Sequence, residues 1–143
     1  MHRFVTVFTF LILLAPVPAL AEPADVSDAD REAIRAVVED QLAAFQADDA
    51  VRAFSHASPM IRRAFGTPSN FMRMVVTGYP PVHRPQAVEF QDIVDYRGAP
   101  TQRVFLVGPD GRSVIALYVM ERQAGGVWKI NGCYLVKAED SMV

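Results

Sequence analysis

The hydrophobic period changes once along this chain, and that change limits the fold more than any other feature. As far as Gly78 the apolar residues recur at helical spacing; beyond "YPPVHRP", Tyr79 to Pro85, they alternate. Four strand-like runs follow: "AVEFQDIVDY" (87–96), "TQRVFLVG" (101–108), "SVIALYVMER" (113–122) and "GVWKINGCYLV" (126–136). The links "RGAP", "PDGR" and "QAGG" are short. Short links make successive strands antiparallel neighbours. Helices first and a meander second give an α+β fold, with N-terminal helices packed on a curved antiparallel sheet of four strands or slightly more.

The helical half is punctuated clearly. Ser27 or Asp28 is placed to cap a long helix whose Ile34, Val37, Val38, Leu42 and Phe45 share a face. Asp48 or Asp49 opens a short second helix, with Val51 and Phe54 expected inward. "SPMIRRAFG" and "TPSNFMRMVVTG" each place a hydroxyl cap, a proline at the first helical position and a glycine at the exit. Phe65, Phe71, Met74 and Val75 are the expected buried positions. In "TGYPPVHRP", Gly78 ends the last helix and the prolines push the residues before them toward extended backbone.

The first residues read differently from the rest. A basic start, "MHR", precedes the uncharged apolar run Phe4–Ala15, and "PVPALA" places small residues at 19 and 21. This is the layout of a secretory signal peptide, residues 1–21, cleaved after Ala21. The run is shorter than the roughly 20 residues of a spanning helix, so no stable membrane anchor is expected and the mature chain is expected in the periplasm or secreted. A flexible arm (22–27), one domain (28–137) and a tail (138–143) complete the organisation.

With 14 basic and 16 acidic residues the net charge is −2, which does not suit a nucleic-acid binder. One cysteine, Cys133, cannot form an internal disulfide. Three histidines without ligand spacing give no metal site, and no cofactor motif is present. Residues 22–49 hold nine acids and two arginines, while 50–88 hold five arginines, two histidines and no acid. The two segments either complement each other or leave an anion-attracting patch.

Two stretches carry a resemblance. "SHASPMIRRAFGTPSNFMRMVVTGYPPVHRP" (55–85) followed by "VWKINGCYLV" (127–136) resembles a family of small exported bacterial proteins known as domain of unknown function 4864. More broadly, a long first helix, a short acid-capped helix and the terminal "GVWKINGC" strand resemble the cone-shaped nuclear transport factor 2-like fold. That resemblance implies a conical pocket between the first helix and the concave sheet face. It implies no reaction, since such folds host enzymes, binders and association modules. Neither an isomerase-type nor an epoxide-hydrolase-type acid–base set can be matched to residues here.

A few residues invite suspicion. Alternation puts Asp92 on the face of Val88, Phe90, Val94 and Tyr96, where it is either a pocket acid or is turned outward by a β-bulge. Tyr79, His83 and Arg84 in the connector are candidate rim residues, and Tyr118 and Trp128 are candidate pocket walls. Cys133 reads as a small buried hydrophobe. His56 closes the short helix. The expected function is a periplasmic module that binds a small apolar ligand or pairs with a second copy through the sheet. The alternative is a small hydrolase, isomerase or dehydratase using Asp92 as acid or base.

Overall fold

The structure is a computed structural model that describes residues 23–138. Five helices come first: α1 (Asp28–Gln46), α2 (Ala50–Ser55), α3 (Pro59–Phe65), α4 (Pro68–Gly78) and α5 (Pro80–His83). Four strands follow: β1 (Ala87–Tyr96), β2 (Ala99–Val107), β3 (Ser113–Arg122) and β4 (Trp128–Lys137). The strands make one open antiparallel sheet in the order β1-β2-β3-β4. The expected signal peptide and its expected cleavage site, and residues 139–143 of the tail, lie outside the described residues.

Capping side chains set where the first four helices begin. Ser27, Asp49, Ser58 and Thr67 accept from the backbone N–H three residues on, which satisfies donors a helix start leaves open. Pro59 and Pro68 occupy the first helical positions, and Gly66 leaves α3 at φ 78. Gly78 does not repeat that exit. It stays helical, and Tyr79 closes α4 at φ −134. The connector is therefore not wholly extended, as the prolines suggested. Pro80 suits the start of another helical turn because its φ is fixed and it needs no N–H acceptor. Tyr79 and Arg84, each before a proline, keep the non-helical geometry.

α1 lays Ile34, Val38, Leu42 and Phe45 into the core, with Val37 half-buried. They meet Val104, Leu106, Ala116 and Tyr118 of the inner sheet face. The Trp128 indole donates to Asp30 Oδ1 at 3.0 Å, and the Arg35 guanidinium lies 4.6 Å from the Phe90 ring centre, so α1 is held at both ends of the sheet. In α2, Val51 is exposed rather than buried, and Ala53 takes the inward place beside half-buried Phe54. Ala53 is small enough for α1 to approach and for Gln41 Nε2 to donate to its carbonyl. Val51 lies two residues back, on the opposite side of the helix.

Both sheet edges are partly covered. Pro23 bridges Val94 of β1, and Ala24 N–H donates to the Ile93 carbonyl, so the start of the expected arm is docked. Ala57 bridges Ile130 of β4, with Ser58 N–H donating to Ile130 and Ile130 N–H to His56. Such cover removes free ladder groups that would invite further strands. The acidic and basic segments do complement each other. Asp40 of α1 pairs with Arg52 and His56, and Asp48 pairs with His83 and Arg84.

Candidate functional site

Two bulges decide which side chains face inward. In β1 the register shifts between Phe90 and Ile93. Ile93, not Asp92, becomes the partner of inward Gln102. Gln102 is buried, and its Nε2 donates to the Gln91 and Arg103 carbonyls, securing the irregular backbone. Asp92 is turned out, 59% exposed, and pairs with Arg103 at 3.0 Å. The shared apolar face expected for it does not exist, because the bulge splits β1: Val88 and Phe90 precede it inward, while Val94 and Tyr96 follow it outward.

The second bulge is in β4. Val119 pairs with Gly132 but Met120 pairs with Ile130, so Asn131 is the extra residue. It lets Trp128, Ile130 and Cys133 share the inner face although their numbers change parity. Cys133 thereby becomes the direct partner of Tyr118. Without the bulge Tyr134 would point inward instead.

Between these strands and the helices lies a cavity of about 280 Å³. α1 contributes Phe45, α3 Ile61 and Phe65, and α4 Phe71, Met74 and Val75. Tyr79 and Val82 close it from the connector, and Tyr118 with Ile130 to Tyr134 form the sheet side. Phe71 is the centre of its aromatic wall. Its ring centre lies 5.9 Å from Phe45, 5.5 Å from Phe54 and 5.7 Å from Phe65. Met60 also borders the space and is 52% exposed, so it marks its mouth.

The polar content of this wall is small. Gln41 is occupied by the Ala53 carbonyl, and Asn131 Oδ1 accepts from Ser58 Oγ at 2.7 Å. The Tyr118 hydroxyl is fully buried, and among the described residues no group meets it at ordinary hydrogen-bond geometry. The Cys133 thiol lies beside it and interacts with it as a weak, poorly placed sulfur partner. Burial holds the Tyr118 phenol well above its usual pKa and pushes the Cys133 thiol up to about 12. Both therefore stay protonated at neutral pH. Burial also raises Tyr79. A thiol this hard to ionise is no nucleophile.

Of the residues singled out from the sequence, Tyr79 and Tyr118 border the cavity. His83 and Arg84 do not; both hold Asp48, at 2.9 and 2.7 Å, which ties α5 to the turn after α1. Trp128 serves α1 through Asp30 and is not part of the wall. Phe71 is buried as expected, while Phe65 and Met74 are only partly so; none was legible as cavity wall, because periodicity gives a face and not what stands opposite. Among the described residues no group of three or more His, Cys, Asp or Glu is placed to hold a metal, and no helix is long and apolar enough to cross a membrane.

No curated protein and no solved structure matches this chain. The family model described as Domain of unknown function (DUF4864) matches residues 27–143, which takes in every helix and strand above, and the chain belongs to that family.

Proposed function

We propose that this protein is an exported module that binds a small apolar molecule, in a pocket of the nuclear transport factor 2-like kind. The cavity carries this reading. Ligand sites are concave, mostly apolar and equipped with few polar groups, and this one combines an aromatic wall with few polar side chains and no charged one among the described residues. Its volume is small, about 280 Å³. That is roughly twice the ~150 Å³ of a dry cavity able to hold benzene. Export rests on the basic start, the apolar run and the small residues at 19 and 21. Use of Asp92 as an acid or base draws no support from its exposed pairing with Arg103.

Native mass spectrometry of the protein recovered from the periplasm tests both parts. The expected species begins at Glu22 and carries one small extra mass, either as purified or after incubation with cell extract. A chain beginning at Met1 would sink the export part. A bare polypeptide under both conditions would sink the binding part.

A second reading, pairing of two copies through the sheet, is favoured by the outer sheet face. Phe105, Leu117, Val119, Tyr134 and Val136 face away from the helices, on ladders where a solvated face is ordinarily polar. Four strands of this length present roughly 600 Å² in projection, approaching the ~800 Å² per partner of a standard interface. Sedimentation should then give a dimer that Leu117→Lys converts to a folded monomer. A wild-type monomer at high concentration would exclude this reading.

A further inference from the structure

We infer that the unpaired end of β4 takes up an extended peptide segment of a partner, which adds as a fifth strand and drops one large apolar side chain into the cavity. This rests on the pocket reading proposed above and names the class of partner that uses it. The strand edge is the first observation. Ile130 turns its N–H to the His56 carbonyl and its C=O to the Ser58 N–H, away from β3. Backbone direction alternates along an antiparallel ladder. The extra residue at Asn131 passes the outward direction on to Cys133 and Leu135. The covering segment stops at Ser58, because α3 begins at Pro59. Among the described residues no backbone group bonds to the outward N–H and C=O of Cys133 and Leu135. Such a row is a template for a further strand.

The second is where the cavity lies. Ile130 to Tyr134 border it without a break, although their side chains alternate between the two sheet faces. A run of both parities is reached only along the backbone edge, so the cavity opens beside the unpaired groups. Main-chain bonds with an adjoining side-chain pocket are the two parts of recognition by strand addition. Among the described residues no Lys, Arg, His, Asp or Glu borders the cavity, so the side chain that enters is uncharged and apolar. The third is charge. Arg62 and Arg63 of α3 and Arg73 of α4 are exposed, and no ion pair among the described residues uses them. No acid lies between Asp49 and Glu89. The two helices that wall the cavity opposite β4 are therefore basic, and they suit a segment with acidic residues flanking its apolar anchor.

A phage-displayed library of random decapeptides, panned against the folded protein, tests this. Enriched clones should share one large apolar residue flanked by Asp or Glu. The leading synthetic peptide is then titrated by fluorescence anisotropy. N-methylation of alternate amides, those that face β4, should weaken binding about tenfold or more, while methylation of the intervening amides should change it by about twofold at most. Acetophenone, a small apolar probe of the cavity, should displace the peptide. Leu135→Pro deletes one edge donor in a way an edge strand tolerates; it should abolish peptide binding and retain acetophenone binding. Equal losses from both sets of amides, or peptide binding that acetophenone leaves unchanged, would overturn the inference. A library without enrichment would overturn it too, and if acetophenone still binds, a small-molecule pocket remains. A dimer by sedimentation that Leu135→Pro dissociates would give the edge to a second copy instead and overturn it as well. Binding of neither peptides nor acetophenone would count against the pocket reading itself, and the inference would fall with it.

Discussion

Tyr118 and Cys133 are direct partners across the β3–β4 ladder, and both face the cavity. The pairing depends on the extra residue at Asn131, which moves Cys133 to the inner side of β4. It follows that the half-buried thiol faces an apolar cavity in the native state. Its pKa is pushed up by burial from 9.0 to about 12, so the thiolate is about a thousandfold scarcer than for a free cysteine. Alkylation by iodoacetamide at neutral pH should be much slower than for a free cysteine until the protein is unfolded. A native rate near that of a free thiol would show that the β4 bulge is absent.

Removing Asn131, the extra residue, should leave plain alternation with Ile130 and Cys133 still inward and Tyr134 still outward. We expect the folded deletion variant to keep Cys133 facing the cavity and slow to alkylate. Rapid alkylation of Cys133 in the folded deletion variant would contradict the register.

Phe71 holds the aromatic wall together through three ring contacts. Phe71→Ala should lower stability by about 3–5 kcal/mol, as for other large-to-small core changes. Urea denaturation reads the difference directly. A loss below about 1 kcal/mol would mean that the three rings do not pack as described.

Asp40 gives a pH signature. Hydrogen bonds from Arg52 and then from His56 lower its pKa to about 2 from 3.8. The folded value lies below the unfolded one, so this stabilising contribution is complete above about pH 4 and fades as pH falls toward about 2. Asp40→Asn should therefore be less stable than the wild type at pH 6, with the gap closing by pH 2.5. Denaturant unfolding at the two values checks it. An equal gap at both would show that Asp40 titrates normally.

Asp92 should matter little. It forms an exposed pair with Arg103, and such pairs contribute about 0–1 kcal/mol. Asp92→Asn should change stability within that range and leave probe binding untouched. A large loss of binding would return Asp92 to the site.

Much of the fold was legible because its signals are local. The caps at Ser58 and Thr67, the following prolines and the change of period at Tyr79–Pro85 each act within a few residues, and each element they imply is present. Asp92 and Cys133 were legible only as alternatives. A bulge is one residue long and leaves both flanking patterns intact, so alternation alone cannot say on which side of it a residue falls. The α5 turn was hidden because proline discourages helix in the residue before it yet suits the first turn after it. Val51 was misjudged because α2 is too short for a period to emerge. The cavity wall was least legible, since it joins α1, α3, α4, α5, β3 and β4 and no stretch of sequence displays their meeting.

Occupation of the cavity by a small molecule is the point on which the proposed binding function turns. Met60 and Met74 border it, whereas Met72 and Met120 do not. Methionine-methyl NMR during titration with acetophenone therefore reads the site against its own controls. Saturable shifts of the Met60 and Met74 methyls are expected, with Met72 and Met120 scarcely moving. No shift up to the solubility limit, or equal drift of all four, would contradict it.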